Sequence, residues 1–164
     1  MTADSFTLFS KEISGQATLS QVFNGFGCTG NNISPQLFWA SAPEGTKSFA
    51  ITLFDPDAPT GSGWWHWLIF NIPSDCLELP SGAGNPQSGL APIGAVQSIT
   101  DYGTNGYGGP CPPQGHGIHQ YIFTIHALDV DTIDLDEKAN PALVGFNINA
   151  HTIQKASIVM YYKR

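Results

Sequence analysis

The chain has 164 residues, 41% of them hydrophobic and only 12% charged, a composition that supports a packed core and excludes disorder. Its net charge is −7 and its sole arginine is Arg164, so no basic stripe exists to neutralise nucleic-acid phosphates or an anionic membrane surface. No apolar run approaches the roughly 20 residues of a transmembrane helix, and the opening MTADSFTLFSKEISG lacks a basic n-region and an apolar h-region; the expectation is a cytoplasmic protein as written, or a periplasmic one if a leader has been removed.

The 18 Gly and 12 Pro follow no fixed period, which favours many short elements joined by tight turns, a mainly β pattern. Cys28, Cys76 and Cys111 show no CxxC spacing, which argues against a zinc knuckle or a disulfide-dense scaffold. No repeat or linker divides the chain, and residues 1–164 read as a single domain. Ser48–Phe54 (SFAITLF) and Trp67–Ile72 (WLIFNI), rich in β-branched and aromatic residues between Pro and Gly clusters, predict two strands. Pro73–Gly115 reads mostly as loop, and a Gly-rich connection of that length is uncommon unless it is functional. Tyr121–Leu128 (YIFTIHAL) is apolar on both alternating faces and predicts a central strand. In DEKANPALVGFNINAH the apolar Ala142, Leu143 and Phe146, with Ile153 just beyond, predict one short helix packed on the sheet, and Ala156–Tyr162 predicts a last strand.

Rare polar residues concentrate in DPDAPTGSGWWHW (Asp55–Trp67), TDYGTNGYGGPCPPQGHG (Thr100–Gly117) and IHQY (Ile118–Tyr121), all at ends of predicted strands. A two-residue period puts His119, Tyr121 and Phe123 on one face of their strand, and Trp64, His66 and Leu68 on one face of theirs. His126 and His151 are read as hydrogen-bonded structural residues. Taken alone, Asp55 and Asp57 are turn formers, because Asp before Pro opens turns and caps amides. Their coincidence with His66 and His119 favours a site instead, since a carboxylate beside an imidazole stabilises its charged form. Such a pocket holds an anion without Lys or Arg, through imidazolium donors, a Tyr hydroxyl and unpaired amides of the Gly103–Gly109 loop. That loop lacks the Lys and the following helix of a nucleotide P-loop.

DPDAP (Asp55–Pro59), GSGWWHW (Gly61–Trp67), GPCPPQGHGIHQY (Gly109–Tyr121) and NNISPQLFW near the N-terminus together resemble the phosphatidylethanolamine-binding proteins, in particular the bacterial branch labelled Raf kinase inhibitor-like. The resemblance implies a mainly β fold: an antiparallel β-sandwich with Greek-key connections and one or two short helices. It also implies a pocket for phosphate, acetate or a phospholipid head group, lined by Asp55, Trp64, His66, Pro112, His119 and Tyr121, with Asp57 and Gly109 in support and Asp55 orienting the imidazoles. It implies no catalytic residue, cofactor or metal, and for some members a protein partner such as a kinase or protease. Gln120 stands where many relatives carry Arg, which weakens the expected attraction for anions. A gating helix beyond the last strand, found in eukaryotic relatives, is not expected.

Three other readings compete. Asp55, His66 and His119 are formally the two-His, one-carboxylate set of non-haem iron enzymes. Cys111 is a candidate thiol nucleophile with a nearby His as base; the preferred alternative is that its loop approaches the Gly-rich loop of Cys28 and the two cysteines pair under oxidising conditions. Trp64 and Trp65, exposed-looking in the sequence, either wall the pocket or serve a protein interface or homodimer.

Overall fold

In the computed structural model, which describes residues 4–164, the chain forms β1 (Thr7–Phe9), β2 (Leu37–Ala40), β3 (Ser48–Asp55), β4 (Trp64–Pro73), β5 (Glu78–Leu79), β6 (Val96–Gln97), β7 (His119–Leu128), α1 (Pro141–His151) and β8 (Thr152–Tyr162). The first three residues, part of the opening segment read above for a leader, lie outside the described region. Among the described residues no helix is long and apolar enough to cross a membrane.

The apolar runs dictate the centre. β3, buried along nearly its whole length, pairs antiparallel with β4 on one side and β7 on the other, giving a five-stranded sheet in the order β6-β4-β3-β7-β8. Read as β7-β3-β4-β6, this is a Greek key, with β5 an excursion into the second sheet. That second sheet is three-stranded, β1-β2-β5, and also antiparallel. Between the sheets Leu8, Leu37, Trp39 and Leu79 meet Phe49, Ile51, Leu53, Ile69 and Phe123, all essentially inaccessible to solvent. Each such side chain contributes about 1.5–3 kcal/mol of burial. The opposite face of the large sheet carries Ala50, Leu68 and Phe70 and is covered by α1 and the segment before it.

Two sequence expectations change here, the helix's buried face and the place of Ile153. Pro73–Gly115 is mostly loop, as expected, interrupted only by β5 and β6, each two residues long and without a readable period. α1 forms where expected: the Asn140 side chain accepts the Leu143 amide at 2.9 Å, and Pro141 occupies the first turn. Its buried face, however, is Pro141, Val144 and Ile148; Leu143 and Phe146 are exposed, Ala142 with them, and Ile153 belongs to β8 rather than to the helix.

Candidate binding pocket

Because β4 and β7 run antiparallel to β3, the C-terminal end of β3 meets the N-terminal ends of both neighbours. Asp55, Trp64 with His66, and His119 with Tyr121 therefore arrive at one end of the sheet from three segments far apart in sequence. A bulge completes the arrangement. Leu53 pairs with Trp67 and Phe54 with Trp65, so His66 is the extra residue on β4. It re-aims the strand: His66 joins Trp64 at the cavity, while Leu68 faces the helix layer, contrary to the simple alternation expected. The companion expectation for β7 matches, with Tyr121 and Phe123 both in the core between the sheets and His119 on the cavity.

The cavity, about 200 Å³, is lined by Asp55, Trp64, His66, Pro112, His119 and Tyr121, the six residues singled out in the sequence. It is also lined by Phe26, Ala58, Pro59, Thr60, Tyr102 and Pro113, and by Cys111. Asp55, His66, His119 and Tyr121 are almost wholly buried. Asp55 Oδ2 lies 2.7 Å from His119 Nδ1, and Asp55 Oδ1 accepts the Asp57 amide at 2.8 Å. Asp57 in turn accepts the Gln120 amide at 2.7 Å, tying the turn after β3 to the start of β7. His119 Nε2 sits 2.6 Å from Nδ1 of His116.

His66 behaves differently. Its Nδ1 lies 2.7 Å from the Gly108 carbonyl, which can only accept, so Nδ1 carries the proton. The Gly108 amide donates back to the His66 carbonyl at 2.9 Å. Burial pushes the imidazole down to about 4, outweighing the upward pulls of the Gly108 carbonyl and Asp55. His66 is thus neutral at pH 7, with Nε2 the polar edge left for the cavity. Burial, and then Asp55, hold the Tyr121 and Tyr102 phenols well above the ordinary range, so both hydroxyls stay protonated. Tyr102 donates to the Gly109 carbonyl at 2.8 Å. By contrast, Trp64 Nε1 is buried without a hydrogen-bond partner among the described residues, and the Tyr121 hydroxyl makes no bond of full geometry there, the Asp55 carboxylate being its nearby acceptor.

Several expectations are corrected. His66 is not an imidazolium donor, and Asp55 orients only His119. Of the Gly103–Gly109 loop amides, those of Gly103, Tyr107, Gly108 and Gly109 are engaged, donating to Thr100, Gly84, His66 and the Asn32 side chain. Trp64 and Trp65 are half-buried, Trp64 edge-on to Tyr102 and Trp65 tilted against Phe54 with ring centres 4.4 Å apart. The Cys111 sulfur is bonded to that of Cys28, leaving no thiol for a hydrolase. Among the described residues no three His, Cys, Asp or Glu are grouped to hold a metal, and the Asp55 to His119 contact points those two groups at each other rather than at a shared ion, against the iron-type reading. His126 and His151 bond the Thr152 hydroxyl and Asp129, away from the pocket.

Sequence reasoning missed Tyr102, Phe26 and His116 as individual residues. Phe26 stands in NGFGC, and the pairing of Cys28 with Cys111 is the signal that could have placed it on the pocket rim. Tyr102 and His116 lay inside the quoted loop but had no periodicity to mark them.

A family profile described as "Phosphatidylethanolamine-binding protein" matches residues 9–163. The chain is 54% identical over 143 residues to YbhB of Escherichia coli K12, covering 86% of this chain and 88% of that protein. It is 49% identical over 163 residues to YbcL of the same organism, covering 98% and 89%. The crystal structure of YbcL, described as a member of the mammalian PEBP family, matches with a TM-score of 0.95 over 97% of this chain and 98% of that one. CT736 of Chlamydia trachomatis, 27% identical, matches at 0.79 over 98% of both chains.

Proposed function

Since the chain belongs to the phosphatidylethanolamine-binding protein family, we propose that its cavity binds a small oxyanion of the phosphoryl kind and does not turn it over. The observation that carries this reading is the pair of buried donors that no full hydrogen bond engages, the Tyr121 hydroxyl and Trp64 Nε1, both on residues that line the cavity. A buried polar group left unpaired costs about 1–3 kcal/mol, and an oxyanion supplies acceptors for both at once. Among the described residues no Lys or Arg side chain lines the cavity, and the Arg164 guanidinium lies behind its wall, donating to the Pro112 carbonyl at 3.3 Å, so the aimed neutral donors are the groups that would touch the anion. Two cavity side chains that could act as nucleophiles are engaged elsewhere: Cys111 is in a disulfide, and the Thr60 hydroxyl donates to the Gly63 carbonyl at 2.6 Å.

The test is calorimetric titration with inorganic phosphate of the wild type and of Tyr121→Phe. The variant is expected to bind phosphate about 5–30-fold more weakly, yet to unfold at the same urea concentration or slightly higher, because it removes a hydroxyl that the free protein leaves without a full hydrogen bond. Unchanged phosphate affinity in Tyr121→Phe would rule the reading out.

A further inference from the structure

The chain carries one arginine, and its guanidinium lies against a disulfide sulfur. Arg164 Nη1 donates to Cys111 Sγ at 3.7 Å and to the Pro112 carbonyl at 3.3 Å, and Nη2 donates to the Gly27 carbonyl at 3.3 Å. Gly27 precedes Cys28 and Pro112 follows Cys111, so one planar cation grips the peptide segments on both sides of the Cys28–Cys111 bond. The main chain of Arg164 is anchored as well, its oxygen accepting the Gly115 amide at 3.4 Å. Cys28 is buried, whereas Cys111 is half-buried and the more accessible of the two.

The third cysteine shows what this setting changes. Cys76 is also half-buried, and its thiol donates to the Glu78 carbonyl at 3.2 Å; burial, joined by the Asp75 and Glu78 carboxylates, pushes that thiol up. Cys111 meets a cation instead, and a guanidinium beside a sulfur favours its thiolate over its thiol. The ionisable groups that share the cavity wall with Cys111 do not cancel this: Asp55 is engaged by His119, His66 is neutral at pH 7, and the Tyr102 and Tyr121 hydroxyls stay protonated.

We propose that Cys28–Cys111 is a reversible thiol–disulfide exchange site for a dithiol reductant, that Cys111 is its reactive sulfur, and that Arg164 is the positioning residue that holds the thiolate formed there. One thiolate of the dithiol attacks Cys111 Sγ, the Cys28–Cys111 bond breaks, a mixed disulfide forms, and Cys28 leaves as a thiolate that takes up a proton. The second thiolate of the reductant then attacks the reductant's own sulfur in the mixed disulfide, closing the reductant's disulfide and releasing Cys111 as a thiolate beside Arg164. Two electrons pass to the protein; of the two protons the dithiol gives up, one rests on Cys28 and the other goes to solvent. Re-closure needs the sulfurs to stay near each other. The grip of Arg164 on residues 27 and 112, together with the Phe23 amide donating to the Pro110 carbonyl at 2.9 Å, keeps the two segments side by side after the bond opens.

Two measurements on the full chain test the proposal. In the first, free thiols of the wild type and of Arg164→Gln are counted after equilibration in mixtures of reduced and oxidised dithiothreitol at pH 7 and pH 9. The wild type is expected to pass from one free thiol, Cys76, to three while its circular dichroism stays that of the folded chain. Losing the grip on residues 27 and 112 acts alike at both pH values, whereas losing the thiolate's partner is felt only where Cys111 ionises. Relative to the wild type, Arg164→Gln is therefore expected to be about three- to tenfold harder to reduce at pH 9 than at pH 7. A ratio of variant to wild type that is the same at both pH values overturns the role of Arg164, and a bond that opens only as the protein unfolds overturns the exchange site. In the second, Cys28→Ser with Cys76→Ser leaves Cys111 as the one thiol, and iodoacetamide alkylation is followed against pH. Its midpoint is expected below the ordinary thiol value of about 8.5, and adding Arg164→Gln is expected to cut the thiolate population at pH 7 about three- to tenfold. A midpoint that Arg164→Gln does not move overturns the assignment.

Discussion

His116 Nδ1 lies 2.6 Å from His119 Nε2, which extends the contact between Asp55 and His119 into a chain of three groups running from the buried end of β3 to an exposed loop. Asp55 accepts from Nδ1 of His119, and His116 occupies the other ring nitrogen. Whichever of the two facing nitrogens carries the proton, His119 has no free edge to offer an anion. His116→Ala releases that edge, and phosphate is expected to bind about 3–10-fold more tightly to the variant, the worth of one hydrogen bond. Calorimetry decides it; weaker binding would mean that His116 itself touches the anion.

Acid should destabilise the fold through two buried imidazoles. Burial holds both His66 and His126 at about 4, with Lys155 adding to the effect at His126, against 6.5 in the unfolded chain. Between those values the unfolded state binds more protons, so the stability is fully present above pH 6.5 and is lost as pH falls toward 4. Each ring contributes on the order of 3 kcal/mol over that window. Urea midpoints measured from pH 7.5 down to about 4.5 should therefore fall steadily, and His126→Gln should show roughly half the slope. An equal slope in the variant would contradict the assignment.

The Cys28–Cys111 bond joins residues 83 positions apart and closes the cavity wall between Phe26 and Pro112. Loop entropy for a span of that size corresponds to about 4.5 kcal/mol. The Cys28→Ser, Cys111→Ser double variant should lose stability of that order in urea titrations and bind phosphate more weakly, as the Phe26 loop gains freedom. Identical midpoints for the wild type with and without reductant would show that the bond contributes nothing.

Gly109 is held by packing rather than by backbone freedom. A Cβ there would run into the Gln21 carbonyl oxygen and approach the Phe23 amide nitrogen to 2.9 Å, both rigid main-chain atoms. Gly109→Ala is expected to cost about 1–3 kcal/mol, read from the urea midpoint.

The strands that carry the pocket were legible because their signal is local: SFAITLF, WLIFNI and YIFTIHAL are apolar on both faces and lie where the central strands form. β1 and β2 were not, since three or four residues are too short to establish a period. The gathering of Asp55, His66 and His119 followed from strand ends together with motif resemblance. The charge of His66 did not, because it depends on how deeply the ring is buried, a property of the folded packing. The bulge that turns His66 toward the cavity likewise comes from the register between β3 and β4, which no single strand encodes. The outward Leu143 and Phe146 defeated the helix reading for a related reason: apolarity marks a buried face only when the opposite face is polar, and here it is not.

Residue 108 grips residue 66 twice, once through its carbonyl on the imidazole and once through its amide on the backbone oxygen. The ring is therefore indexed to the sheet edge by the same peptide segment that borders the cavity. Rotating the imidazole would break the Gly108 carbonyl bond and leave the backbone bond in place, so the ring's orientation hangs on one contact that the loop's attachment to β4 holds in position.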